Sequence, residues 1–106
     1  EDPQVRRQLA GFQAKISAMR LNGMRYLTKQ LNGQPAGTET SVNKLLRGQL
    51  EHEMWNLAME LPGSHAQGVG HWQSGSLGYH GTVIGGGTPN IQRNIIAERI
   101  LGLPKD

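Results

Sequence analysis

The stretch that most constrains the fold lies near the end of the chain, where Gly85, Gly86 and Gly87 precede Thr88 and Pro89. Glycine allows backbone conformations that are closed to other residues, and it lets a ligand approach the backbone closely. Thr88 is a good N-cap, and Pro89 suits the first helical position because its missing N–H needs no partner there. The stretch therefore predicts a tight corner that leads directly into a helix.

The helix after the corner is marked by isoleucines at helical spacing: Ile91, Ile95, Ile96 and Ile100. Gly102 and Pro104 follow them, so the sequence predicts a helix over residues 89–101. Its free N–H groups and the positive end of its dipole suit an anion or a polar cofactor edge. On the glycines alone, however, a simple corner without a ligand is the favoured interpretation.

Two longer amphipathic helices are predicted before the corner. An apolar seam with steps of four and three covers residues 3–32, with Asp2 as its N-cap. A second apolar pattern covers residues 41–61, with Ser41 as its N-cap and Pro62 as its stop. A helix as long as the first cannot bury its apolar face alone, so we expect an all-α fold of packed helices.

Composition limits the classes of protein and of partner. The chain has 106 residues, the length of one domain, and its net charge of +3 comes from scattered basic residues, so we expect no nucleic acid partner. The lack of cysteine excludes disulfides and thiolate metal sites. No run approaches the roughly 18 apolar residues of a membrane span. The chain begins with Glu1 rather than Met, so we expect a processed, trimmed or partial sequence.

Two groups of side chains are candidates for metal or acid–base chemistry. Glu51, His52 and Glu53 are adjacent, and consecutive helical residues point about 100° apart, so they cannot converge on one ion. We expect them on a solvated helix face. Three histidines are spread over the next segment: His65, His71 and His80. They lack both helical spacing and a carboxylate partner, so no metal site is predicted. A short helix over residues 75–84 is predicted to lead into the glycine corner.

The stretch from Gly86 to Pro104 closely resembles the C-terminal signature of the acyl-CoA dehydrogenases, flavoenzymes that desaturate acyl-CoA thioesters between the α and β carbons. The Ser-x-x-Lys-Leu pattern at residues 41–45 and the turn at residues 60–63 also resemble family segments. The resemblance implies that residues 1–106 form an all-α, up-and-down helical bundle. The bundle is expected to be incomplete, because the first helix of that domain lies upstream. We expect the chain alone to be inactive.

The resemblance also implies the chemistry: FAD as the cofactor, acyl-CoA as the substrate, and a carboxylate base that removes the α-proton while hydride passes to the flavin. The commonest family pattern has that base as a Glu immediately before the Gly-Thr of the signature. Gly86 occupies that position, so no catalytic residue is expected in this chain. Two explanations stay open. Either the base comes from the upstream helix, or the chain belongs to a partner subunit that has no base.

Four residues are expected, from the resemblance, to contact FAD. Thr88 matches a family threonine that touches the cofactor. Asn90 falls where relatives have Gln or Glu, and its shorter side chain keeps an amide. Glu60 and Gly63 match the turn that reaches the adenine end of a neighbouring subunit's FAD, although Glu60 accepts hydrogen bonds and cannot donate as an amide does.

The resemblance further implies electron-transferring flavoprotein as the electron acceptor, a homo- or hetero-oligomer, and a location in the cytoplasm or, in a eukaryote, in the mitochondrial matrix. The alternative function is a non-catalytic helical oligomerisation module or a base-less partner subunit, which the long apolar seam and Gly86 both motivate. A phosphate- or nucleotide-binding loop of another class ranks last, because no Lys follows the glycines as in a Walker loop and no Rossmann spacing occurs.

Overall fold

The computed structural model describes residues 2–35 and 37–105, so the two ends of the predicted domain, Glu1 and Asp106, lie outside the described residues. Within these ranges the chain forms four α-helices and no strand: α1 (Pro3–Leu31), α2 (Glu39–Glu60), α3 (His71–Ile84) and α4 (Pro89–Ile95). A 3₁₀ turn, Gly63–Gln67, connects α2 to α3, and a π-helical turn, Ile96–Ile100, continues α4. The predicted all-α class is confirmed.

Helix α1 starts where its local signals predict. The backbone N–H of Gln4 donates to Oδ1 of Asp2 at 2.7 Å, and Pro3 occupies the first helical position. The helix ends at Leu31, where the N–H of Asn32 donates to the carbonyl of Thr28 at 3.1 Å. Both ends are therefore set by residues next to them in the sequence.

Helix α2 begins two residues earlier than predicted, and the prediction of Ser41 as its N-cap is wrong. Ser41 lies inside the helix, is only 8% exposed, and donates its N–H to the carbonyl of Thr38 at 2.9 Å. Glu39 supplies a carboxylate to the first turn, where the helix dipole favours negative charge. A hydrogen bond from the ammonium of Lys29 in α1 holds the pKa of Glu39 below its ordinary value. This ion pair favours the earlier start.

Helix α3 begins at His71 rather than at residue 75, because aromatic packing stabilises a first turn that its composition does not predict. The rings of Trp72 and Trp55 meet edge to face, with centroids 6.2 Å apart. The side chain of Gln73 donates to the carbonyl of His65 at 3.1 Å, which ties the same turn to the preceding 3₁₀ segment. These contacts join residues that are distant in sequence.

The helix predicted over residues 89–101 changes its hydrogen bonding after Ile95. In the π-helical turn the N–H of Leu101 donates to the carbonyl of Ile96 at 3.0 Å, a spacing of five residues. Gly102 then adopts φ +68°, and the N–H of Leu103 donates to the carbonyl of Ala97 at 3.0 Å. This positive-φ glycine ends the helix in the predicted place.

Helix α2 is the element on which the others pack, with α1, α3 and α4 all in contact with it. Its residues Leu50 and Leu57 are buried together with Phe12 of α1. Asn43 adds a polar link, donating from Nδ2 to the carbonyl of Met19 in α1 at 3.1 Å. An ion pair between Lys15 and Glu53 joins the same two helices. Many large apolar side chains are still exposed: Leu9, Ile16, Leu21, Leu27, Leu31, Leu77 and Ile84.

None of the helices in residues 2–35 and 37–105 combines the length and the apolar character needed to cross a membrane.

Two glycines of α3 differ in the space beside them, and they therefore provide a matched test of how α3 packs on α2. A methyl group at Gly75 would lie 2.2 Å from Cη2 of Trp55, whereas one at Gly78 would meet no atom within 4 Å. We expect Gly75→Ala to lower the free energy of unfolding by about 1–3 kcal/mol through overpacking. Gly78→Ala should raise it by about 0.5–1 kcal/mol, because alanine restricts the unfolded chain. Chemical denaturation measures both, and equal effects would contradict the packing of Trp55 on α3.

Candidate functional site

The corner between α3 and α4 is formed by a backbone that favours glycine. Gly85 has an ordinary φ of −57°, but Gly86 and Gly87 have φ values of +71° and +103°. Residues with a Cβ atom rarely adopt these conformations. The consecutive positive φ values turn the chain sharply, so that α4 follows α3 after four residues and packs on α2.

The α4 side of the corner is held by two polar side chains. Oγ1 of Thr88 accepts from the N–H of Ile91 at 3.4 Å, so Thr88 is the N-cap, as predicted. Gln92 is only 6% exposed, and its Nε2 donates to the carbonyl of Gly86 at 3.0 Å. A methyl group at Gly87 would lie 2.6 Å from that same nitrogen. The side chain of Gln92 therefore occupies the space that a larger residue at Gly87 would need.

Sequence reasoning did not identify Gln92 as part of the corner. The spacing of Gln92 from Thr88 could have indicated this role, because Gln92 lies four residues after the cap and therefore on the same helix face. A polar residue at that position can fold back onto the carbonyls of the loop.

The α3 side of the corner is held by side chains of α2. Nζ of Lys44 donates to the carbonyl of Thr82 at 2.6 Å, in the last turn of α3. A methyl group at Gly86 would lie 3.9 Å from Cε of the same lysine. The N–H of Gly85 donates to the carbonyl of Gly81 at 2.9 Å and closes the helix. Lys44 is a second residue of the corner that sequence reasoning missed, since no local pattern relates positions 44 and 82.

Glu51 is partly exposed to solvent and also contacts α3. Its carboxylate accepts from Oγ1 of Thr82 at 2.8 Å and from Nε of Arg47 at 2.7 Å. Partial burial raises the pKa of Glu51, but these hydrogen bonds and the charges of Arg47 and Lys44 outweigh it, so its pKa lies below the ordinary value. Glu51 therefore stays ionised at neutral pH and does not act as a general acid there.

The three adjacent polar residues of α2 diverge, as their spacing predicts. Glu51 contacts α3, Glu53 pairs with Lys15 of α1, and Nδ1 of His52 lies 2.6 Å from the hydroxyl of the buried Tyr79. Among the described residues no group of three or more His, Cys, Asp or Glu side chains could hold a metal ion. His52 and Glu53 lie on the exposed face, as predicted, whereas Glu51 is only partly exposed because its carboxylate contacts α3.

An open groove of about 380 Å³ runs beside the corner, between α2, α3 and α4. Ile84 and Pro89, the residues that flank the corner, line the groove together with the apolar side chains of Leu45 and Val83. Arg93 borders the groove and donates from a terminal guanidinium nitrogen to Oδ1 of Asn90 at 2.9 Å. The corner therefore adjoins a concave, mostly apolar surface with a polar rim.

The four residues expected to contact a cofactor lie in two separate places. Thr88 and Asn90 are exposed at the corner, at the cap and in the first turn of α4. Glu60 is the last residue of α2, sixteen residues after Lys44, which corresponds to about 24 Å along the helix axis, and Gly63 lies just beyond it in the 3₁₀ turn. Glu60 borders a different groove, between α1 and α2. The two pairs do not form one site within this chain.

Comparison with known proteins identifies the family of the chain. The family model described as acyl-CoA dehydrogenase, C-terminal domain, matches residues 1–101. Two curated relatives, both called acyl-CoA dehydrogenase IpdE1, come from Mycolicibacterium smegmatis and Mycobacterium tuberculosis, and each is 32% identical to the chain over 111 residues.

Those alignments cover the whole chain but only 27% and 28% of the two relatives, so the chain spans little more than a quarter of their length. No solved structure matches the chain significantly. The match over residues 1–101, together with the all-α fold and the corner at the signature position, shows that the chain belongs to the acyl-CoA dehydrogenase family and contains its C-terminal domain.

Proposed function

We propose that this chain is the C-terminal part of a flavin-dependent enzyme that desaturates acyl-CoA thioesters between the α and β carbons, and that the glycine corner faces the flavin. The observation that carries the proposal is the positive-φ backbone at Gly86 and Gly87, followed by the exposed cap Thr88. At Gly86 a planar ligand can approach the backbone closely, because a methyl group there would meet no atom nearer than Cε of Lys44 at 3.9 Å.

The groups at the corner fit a cofactor that is rich in hydrogen-bond acceptors. The hydroxyl of Thr88 accepts from α4 as a cap, which leaves its hydrogen to donate to a cofactor oxygen. Oδ1 of Asn90 is bonded to Arg93, so Asn90 would turn its amide nitrogen toward the cofactor as a donor. FAD, when bound, supplies the acceptor for the hydride that leaves the β-carbon.

Glu60 and Gly63 would serve a second cofactor, bound by a neighbouring subunit, because they lie at the opposite end of α2 from the corner. The carboxylate of Glu60 can accept from an amino group, which suits the exocyclic amine of adenine. The apolar side chains exposed on α1 and α3 support an oligomer, either homo- or hetero-oligomeric.

The catalytic base would come from outside this chain. Gly86 has no side chain, and its φ of +71° strains any residue that replaces it. A carboxylate there would also lie next to the ammonium-bearing side chain of Lys44. The described residues would therefore bind and orient the cofactor. The α-proton would pass to a carboxylate from the upstream segment or from another subunit.

The physiological partners follow from the same proposal. The substrate would be an acyl-CoA thioester, and electron-transferring flavoprotein would reoxidise the flavin. The enzyme would work in the cytoplasm or, in a eukaryote, in the mitochondrial matrix. The alternative is a base-less partner subunit or oligomerisation module, which the glycine at position 86 and the exposed apolar side chains favour.

The full-length protein tests the two functions against each other. We expect it to copurify with FAD and to reduce an artificial electron acceptor only when an acyl-CoA thioester is present. A stable dimer or tetramer that carries FAD but turns over no thioester would instead support the base-less subunit. A full-length protein without flavin and without activity would contradict the proposed enzyme.

Placing a glutamate at position 86 provides a second prediction. We expect Gly86→Glu to add no activity beyond that of the wild type and to lower the free energy of unfolding by about 1–3 kcal/mol, because its backbone would be strained. Pairing with Lys44 would also lower the pKa of the new carboxyl below the range of an effective base.

The control is Gly86→Ala, which introduces the same backbone strain without a charge. Steady-state turnover and thermal unfolding measure the two effects separately. Faster turnover in Gly86→Glu than in Gly86→Ala and the wild type would contradict this explanation of the missing base.

A further inference from the structure

We propose that Lys44 is the positioning residue of the glycine corner: it fixes the end of α3 and thereby sets the affinity of the protein for FAD. The effect of Lys44 on FAD affinity rests on the proposed function, in which the corner faces the flavin. Its effect on the end of α3 depends only on contacts between α2 and α3.

The contact itself joins a charged donor to a carbonyl that needs a partner. Thr82 lies in the last turn of α3, where carbonyl groups have no donor within the helix. Nζ of Lys44 donates to that carbonyl at 2.6 Å. A charge-assisted hydrogen bond is stronger than a neutral one, and positive charge is favoured at the C-terminal end of a helix. Lys44 therefore caps α3 from a neighbouring helix.

Thr82 is held by α2 at a second point. Its hydroxyl lies 2.8 Å from Oε2 of Glu51, which is itself bonded to Arg47. The same hydroxyl lies 2.7 Å from the carbonyl of Tyr79, so its single proton is shared between two acceptors. The bond from Lys44 reaches the backbone of Thr82 rather than its side chain, and Cε of Lys44 would lie 3.9 Å from a methyl group at Gly86.

The corner depends on such outside contacts because its own residues have no side chains. Gly85, Gly86 and Gly87 cannot pack, so their position is set by the end of α3 before them and the start of α4 after them. Gln92 holds the α4 side through the carbonyl of Gly86. Lys44 holds the α3 side and reaches to 3.9 Å from the Cβ position of Gly86. Removing its ammonium group would release one of these two supports.

The test uses the full-length protein with three substitutions. Lys44→Met keeps a long unbranched side chain but removes the donor, and Lys44→Arg keeps the charge and the donors. Lys15→Met is the matched control, because it removes a lysine that pairs with Glu53 between α1 and α2 rather than at the corner. The FAD dissociation constant and the rate of amide hydrogen exchange in residues 83–88 are measured for each.

We expect Lys44→Met to raise the FAD dissociation constant about tenfold, as the loss of one charged hydrogen bond predicts, and to speed exchange in residues 83–88. Lys44→Arg should restore most of the affinity. Lys15→Met should leave both measurements close to the wild type, even where it lowers the melting temperature. A role limited to general stability would instead give Lys15→Met and Lys44→Met the same effects.

An unchanged dissociation constant and unchanged exchange in Lys44→Met would overturn the proposal, as would equal changes in Lys15→Met. A wild-type protein that binds no FAD would contradict the proposed function instead. In that protein, faster exchange in residues 83–88 of Lys44→Met would still support the positioning role, and unchanged exchange would overturn it.

Discussion

The arrangement of α3, α4 and the candidate site depends on the positive-φ backbone at Gly86 and Gly87. Two such residues in succession turn the chain within a short loop, which brings α4 onto α2 and leaves a groove beside the corner. The same geometry disfavours side chains at these two positions, because strain of this kind costs about 1–3 kcal/mol per residue. In the proposed function, the backbone that would let a flavin approach closely would also keep this segment from carrying the catalytic base.

Helix α2 links this corner to the rest of the domain. Asn43 donates to a carbonyl in the middle of α1, and the next residue, Lys44, donates to a carbonyl at the end of α3. Glu51 adds a second hydrogen bond to α3, and the hydrogen bond from Arg47 helps to keep the carboxylate of Glu51 ionised. The polar contacts of α2 thus position the corner, while its buried leucines supply the apolar contact with α1. A change at the start of α2 is expected to affect the site as well as the packing.

The sequence predicted those features that depend on neighbouring residues. The caps Asp2 and Thr88 and the positions of α1 and the corner follow from local backbone chemistry. The start of α3 was missed, because it depends on the packing of Trp72 against a ring of α2. The prediction of Ser41 as a cap is wrong for a similar reason, since the ion pair of Glu39 with Lys29 of α1 favours an earlier start. The role of Lys44 could not be predicted, because its contact spans 38 residues of chain.

The most direct test of this account is the FAD dissociation constant of the full-length protein with alanine at Gly87 or at Gly81. Gly87 has φ +103°, and a methyl group there would lie 2.6 Å from Nε2 of Gln92, whereas one at Gly81 would meet no atom within 4 Å. The account predicts that Gly87→Ala raises the dissociation constant about tenfold or more, and that Gly81→Ala leaves it nearly unchanged. Equal dissociation constants for the two variants would contradict the central role of the corner.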